Sequence, residues 1–84
     1  MKSIRFSGHA LENVQYRGAT EEEVVESIRT SSWISATGGR FQCRKDFAYQ
    51  KEWNGRVYLT KQIRPIFVEE ATEIVVVTVY VYYF

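Results

Sequence analysis

Two kinds of side chain in this sequence could do chemistry: one histidine, His9, and a block of arginines interleaved with tyrosines. An imidazole exchanges protons near neutrality, and a helix N-terminus disfavours its charged form. Placed in the first turn of a helix, His9 could act as general base or acid on a ribose 2′-hydroxyl or a leaving oxygen. The plainer alternative is a structural histidine. Guanidinium groups match phosphate oxygens, and phenol rings give bases a surface to stack on. Over residues 40–64, seven basic side chains (Arg40, Arg44, Lys45, Lys51, Arg56, Lys61, Arg64) stand against two acids, Asp46 and Glu52. Over residues 12–26 the balance reverses to five acids and one arginine. The net charge is only +1, so the asymmetry matters for binding and the total does not.

Several chemistries are excluded. No glycine-rich phosphate loop, G-x-G-x-x-G fingerprint, paired-carboxylate motif or nucleophile elbow occurs. A single Cys43 beside a single histidine gives neither an internal disulfide nor a structural metal site, so no cofactor is expected. Residues 1–6 carry Lys2 and Arg5 and do not read as a secretion signal. The longest apolar stretch, residues 74–84, is about half of a membrane span. A reducing, cytoplasmic setting with no membrane partner is expected.

Eighty-four residues with 45% hydrophobic and 15% aromatic side chains suit one domain over residues 1–84. Such a small core makes a homodimer or a protein partner plausible. Residues 1–6 read as a strand or an extended lead-in. Ser7 is a candidate N-cap and Gly18 a candidate left-handed terminator for a first helix, with Leu11 and Val14 on its buried face. Thr20-Glu21-Glu22-Glu23 is a capping box opening a second helix, whose stripe is Val24, Val25 and Ile28. Gly38-Gly39 breaks the chain, and the remainder is strand-like.

Asn54-Gly55 is the strongest hairpin signal. A two-residue loop would pair Trp53 with Arg56 and mix apolar with polar side chains on both faces. A three-residue loop with a bulge at Gly55 would pair Glu52 with Arg56, Tyr49 with Leu59, Lys45 with Ile63 and Phe41 with Phe67, which separates the faces and is the expected register. One face then carries Phe41, Cys43, Phe47, Tyr49, Val57, Leu59, Ile63 and Phe67, with Lys45, Lys51 and Lys61 at its rim. The other carries Arg40, Arg44, Arg56, Tyr58, Thr60 and Arg64. In the last strand Val75, Val77, Val79 and Val81 suit the buried side, and Ile74, Val76, Thr78, Tyr80 and Tyr82 the open one. The expected fold is α+β: two short N-terminal helices on one face of a twisted antiparallel sheet of three to four strands, the opposite face presenting arginines and tyrosines. That surface suits single-stranded RNA or a protein interface.

Phe6-Ser7-Gly8-His9-Ala10, Tyr16-Arg17-Gly18-Ala19-Thr20 and Glu22-Glu23-Val24 resemble the opening of the small DUF4258 family, and Val76-Val77-Thr78-Val79-Tyr80 resembles its closing strand. The resemblance implies a place among the RelE, BrnT, barnase, EndoU and colicin ribonuclease-like folds, many of them toxins that cut RNA without metal. It puts the working residues at His9, Arg17, Thr78 and Tyr80. His9 would transfer protons, Arg17 and a strand arginine would neutralise phosphate charge, and Thr78 and Tyr80 would position a phosphate or base. Arg40, Arg44, Lys45, Arg56 and Arg64 are candidate RNA contacts. The function so implied is a metal-independent RNA-cleaving, toxin-like protein with an antitoxin partner. The alternative is a non-catalytic protein-interaction or RNA-binding module.

Overall fold

The structure is a computed structural model that describes residues 2–84, so Met1 of the expected first strand lies outside the described residues. Strand β1 (Ser3–Phe6) runs into helix α1 (Gly8–Arg17), and helix α2 (Glu21–Thr30) follows. Both helix starts are set by side chains that satisfy free backbone donors. Ser7 Oγ accepts from Ala10 N at 3.1 Å. Thr20 Oγ1 accepts from Glu23 N at 3.1 Å, while Glu23 Oε1 accepts from Thr20 N at 2.9 Å. Helix α1 ends at Gly18, whose φ of +76° places it in the left-handed region.

The remaining strands are β2 (Ile34–Ala36), β3 (Arg40–Gln42), β4 (Lys45–Trp53), β5 (Arg56–Glu69) and β6 (Glu73–Tyr83). They form with β1 a six-stranded sheet in the order β1-β6-β5-β3-β2, and β4 pairs β5 beside β3. The expected sheet of three to four antiparallel strands is therefore corrected. The sheet has six strands and is mixed, because β1 pairs β6 in parallel from Ser3↔Glu73 to Phe6↔Val76. The fold remains α+β. Long β5 is the centre: β6 lies along one side, and β3 and β4 share the other. The break between β3 and β4, at Cys43-Arg44, falls across from Pro65. Proline has no N–H to give a ladder, so an interruption in the neighbouring strand costs nothing there.

The hairpin differs from its expected form. Trp53 pairs with Arg56 across a two-residue Asn54-Gly55 turn, with φ of +50° and +82°, the double positive φ of a type I′ turn. The extra residue sits instead beside Gln50, at φ +53°, and beyond it Lys45↔Ile63 and Phe41↔Phe67 are paired as expected. Val57 and Leu59, assigned to the buried face, are 68% exposed: Val57 lies opposite Glu52, and Leu59 lies opposite the irregularity between Ala48 and Lys51. Tyr58, assigned to the open face, packs against Tyr83 with ring centroids 5.7 Å apart. A second irregularity corrects the last strand: Phe67 pairs Val76 but Ile66 pairs Thr78, leaving Val77 as an added residue. Ile74 and Val76 are thereby buried, not Val75 and Val77, while Val79 stays in the core and Thr78, Tyr80 and Tyr82 belong to the open half as expected. One bulge inverts every side chain on one side of it.

The core packs Ala10, Val14, Val24 and Ile28 of the helices onto Ile63, Phe67, Val76 and Val79 of the sheet. Leu11, expected inside, is 43% exposed. Lys61 is buried, with its ammonium 2.9 Å from Glu23 Oε2 and donating to Gly18 O at 2.9 Å. No helix among the described residues is long and apolar enough to cross a membrane.

Candidate nucleic-acid interface

Helix α1 does more than cover the sheet, because its side chains take over the edge of β6 where β1 stops. Phe6 is the last residue of β1 paired with β6. Beyond it Ser7 Oγ donates to Val77 O at 3.2 Å, Asn13 Oδ1 accepts from Val79 N at 3.1 Å, and Arg17 Nη1 donates to Val79 O at 2.8 Å. Asn13 and Arg17 are four apart and so lie on one helix stripe. Each replaces a ladder partner that the sheet edge would otherwise lack. Sequence reasoning missed Asn13; its spacing from Arg17 was the available signal.

The bond to Val79 aims the Arg17 guanidinium at Tyr80, 5.4 Å from the ring centroid. Arg64 reaches the same ring from β5, at 5.2 Å. It pairs directly with Tyr80 across the sheet. Tyr80 thus stands between two guanidiniums, one from α1 beyond the sheet edge and one from the neighbouring strand, each in cation–π range. Arg64 is held further by Nε donating to Gln42 Oε1 at 2.6 Å and Nη1 donating to Tyr82 Oη at 3.1 Å. The C-terminal end of α1 is anchored too. Tyr83 Oη donates to Arg17 O at 2.7 Å and the Tyr83 ring stacks on Trp53 at 4.9 Å. Burial, with Tyr49 and Glu23 near, pushes the Tyr83 phenol from near 10 to about 12, so it holds its proton and its donated bond.

In front of this cluster the open face forms a groove of about 440 Å³ lined by Arg40, Gln42, Arg64, Thr78 and Tyr80 together with Ser35, Ala36, Thr37 and Ile66. Among the described residues no acidic side chain lines it. Among the described residues the ion pairs engage Lys2, Arg5, Lys45 and Lys61. Among the described residues Arg17, Arg40, Arg44, Arg56 and Arg64 have no carboxylate at ion-pair distance.

Of the expected site residues, the structure brings together Arg17, Arg40, Arg64, Thr78 and Tyr80. His9 is exposed and does not line the groove. Eight residues from Arg17 on the same helix, it lies about 12 Å away along the axis. Arg44 is exposed and is not among the residues that line the groove. Arg56 is at the hairpin turn, 5.8 Å over Tyr58. Lys45 belongs to the helix layer, its ammonium 3.8 Å from Glu26 and 6.0 Å from the Phe47 ring. Gln42 was missed, although it alternates with Arg40 and Arg44 and so shares their face. No group of three His, Cys, Asp or Glu side chains among the described residues is placed to hold a metal. Burial holds Cys43 as a thiol, pushed up to about 11, with Sγ against Ser27 O.

No family model, curated protein or solved structure matches this chain. Its fold and groove define the class on their own: a small α+β domain with a cationic, tyrosine-bearing groove on the uncovered face of its sheet.

Proposed function

We propose that this chain binds single-stranded RNA in the open-face groove. One observation carries the reading: Arg40 and Arg64 line the groove with Thr78 and Tyr80 and no acid among the described residues, and Arg17 reaches the Tyr80 ring from α1. Uncompensated guanidiniums on one face attract phosphates, and their planes also stack on bases. Unpaired nucleotides supply both groups, whereas the bases of a duplex are shielded inside it. The test is fluorescence anisotropy of labelled single-stranded RNA against salt concentration, with single-stranded DNA and duplex RNA as comparisons. The wild type binds single-stranded RNA best. Removing one phosphate contact with Arg64→Ala weakens binding and lowers the salt slope by about 0.7. Binding unaffected by both Arg17→Ala and Arg64→Ala overturns the proposal.

Cleavage of the bound RNA without metal, in a toxin-like cytoplasmic protein, is a second reading. It is favoured by the Tyr80 ring in cation–π range of Arg17 and Arg64, by the Tyr82 hydroxyl that accepts from Arg64, and by the resemblance to the DUF4258 family. In such a reaction the 2′-oxygen attacks phosphorus and the bond to the 5′-oxygen breaks. One group takes the 2′-proton, another protonates the leaving oxygen, and the guanidiniums hold the added charge. The distance of His9 from Arg17 puts the tyrosines closer than His9 to these guanidiniums. Incubation with RNA in EDTA tests it: loss of cleavage in Tyr80→Phe with activity kept in His9→Ala supports this version, and intact RNA at high protein concentration refutes it. An antitoxin-like protein covering the same arginines belongs to this reading.

A further inference from the structure

We infer that Gln42 makes the groove select RNA bases with a keto oxygen at pyrimidine C4 or purine C6, uracil and guanine, over those with an amino group at that position, cytosine and adenine. The inference rests on the RNA-binding reading and names the base that its groove admits.

Arg64 Nε donates to Gln42 Oε1 at 2.6 Å. A guanidinium has only donors, so it is the amide oxygen, not the nitrogen, that must face it. This settles the orientation of the Gln42 amide by chemistry. Arg64 cannot easily turn away, because Tyr82 accepts from its Nη1 at 3.1 Å and Tyr80 lies 5.2 Å beneath its guanidinium carbon. The two N–H groups of Gln42 Nε2 are then left over, with no protein acceptor among the described residues, on a side chain that lines the groove.

A free glutamine can present an acceptor and a donor together and so read adenine. This glutamine has its acceptor occupied and presents donors alone. Its groove neighbours Arg40 and Arg64 are donors as well. A uracil O4, or a guanine O6 with N7, meets those donors with acceptors. The N4 amino group of cytosine or the N6 amino group of adenine meets them with N–H against N–H. Uracil and cytosine are matched in size and differ most directly at this position, so they give the cleanest comparison.

The experiment measures dissociation constants of the full chain for oligouridylate and oligocytidylate of equal length, at one low salt concentration. The wild type binds the uridine oligomer about fivefold more tightly, the value of one net hydrogen bond. Gln42→Ala lowers the ratio without reversing it, because the donors of Arg40 and Arg64 remain. Gln42→Glu keeps an acceptor for Arg64 but turns acceptors to the groove, so the ratio inverts in favour of cytidine. Its added negative charge weakens both oligomers together and leaves the ratio readable. Equal affinities in the wild type, or an unchanged ratio in Gln42→Glu, overturn the inference while leaving the RNA reading in place. If the wild type binds neither oligomer, the RNA reading fails and this inference fails with it.

Discussion

Gly18→Ala tests whether the junction that anchors Arg17 is as tightly built as its geometry shows. Two costs add there. The φ of +76° is left-handed, which charges a residue with a Cβ about 1–2 kcal/mol. A Cβ at that position would also stand 2.5 Å from Tyr83 Oη and 2.6 Å from a Trp53 ring carbon, well inside the roughly 3.5–4 Å of a good contact. The two rings stack at 4.9 Å with planes 17° apart, so they must shift together, and overpacking of this kind costs about 1–3 kcal/mol. The expected loss is about 2–5 kcal/mol, a large part of a small domain's stability. Gly39→Ala is the internal control: its φ is +73° but nothing lies within 4 Å of the added Cβ, so it pays the conformational cost of about 1–2 kcal/mol alone. Urea and thermal unfolding followed by circular dichroism measure both variants. The melting temperature falls about 4–8 °C per kcal/mol in a domain of this size. If Gly18→Ala loses no more than Gly39→Ala, the packing of Trp53 and Tyr83 on α1 is not what the distances imply.

Further outcomes follow from particular contacts. Leu59→Lys changes stability by no more than about 0.5 kcal/mol, because Leu59 is 68% exposed; a loss of several kcal/mol in urea unfolding would restore the register with Leu59 inside. Glu23→Gln keeps the capping bond to Thr20 but leaves the Lys61 ammonium, 6% exposed as a residue, with Gly18 O and no carboxylate, and costs about 3 kcal/mol; Lys61→Met costs less by the same measurement, because the Glu23 side chain left behind is 21% exposed and keeps its bond to Thr20, and equal losses would refute the account. Alkaline unfolding depends on Cys43 and Tyr83, whose folded pKa values are raised from 9.0 and 10.0 to about 11 and about 12. Their contribution is complete below pH 9 and is lost as pH rises through the folded values, because the unfolded chain ionises first. Tyr83→Phe therefore flattens the fall in melting temperature between pH 10 and pH 12, and an unchanged slope refutes the assignment.

The parts legible in the sequence were those fixed by neighbours along the chain. Ser7, Gly18 and the Thr20–Glu23 box act within one helical turn, so the two helices could be bounded from residue types alone. Alternation likewise put Arg40, Arg64, Thr78 and Tyr80 on a common side, because pleating is local. The two bulges were not legible. Alternation gives no sign of where an extra residue is absorbed, and the hairpin loop was assigned its third residue when Gln50 takes it. Nor was the parallel pairing of β1 with β6, a contact between the two ends of the chain. The groove itself depends on such distant contacts. Arg17 faces Tyr80 because Val79, sixty-two residues away, has a carbonyl that β1 leaves free, and Gln42 became a pure donor only when folding set Arg64 beside it. Residue types thus determined the helices, their caps and the charge of the open face. Tertiary structure decided which arginines converge and what each polar atom has left to offer, because hydrogen-bond partners remote in sequence are chosen by the packing of the whole sheet.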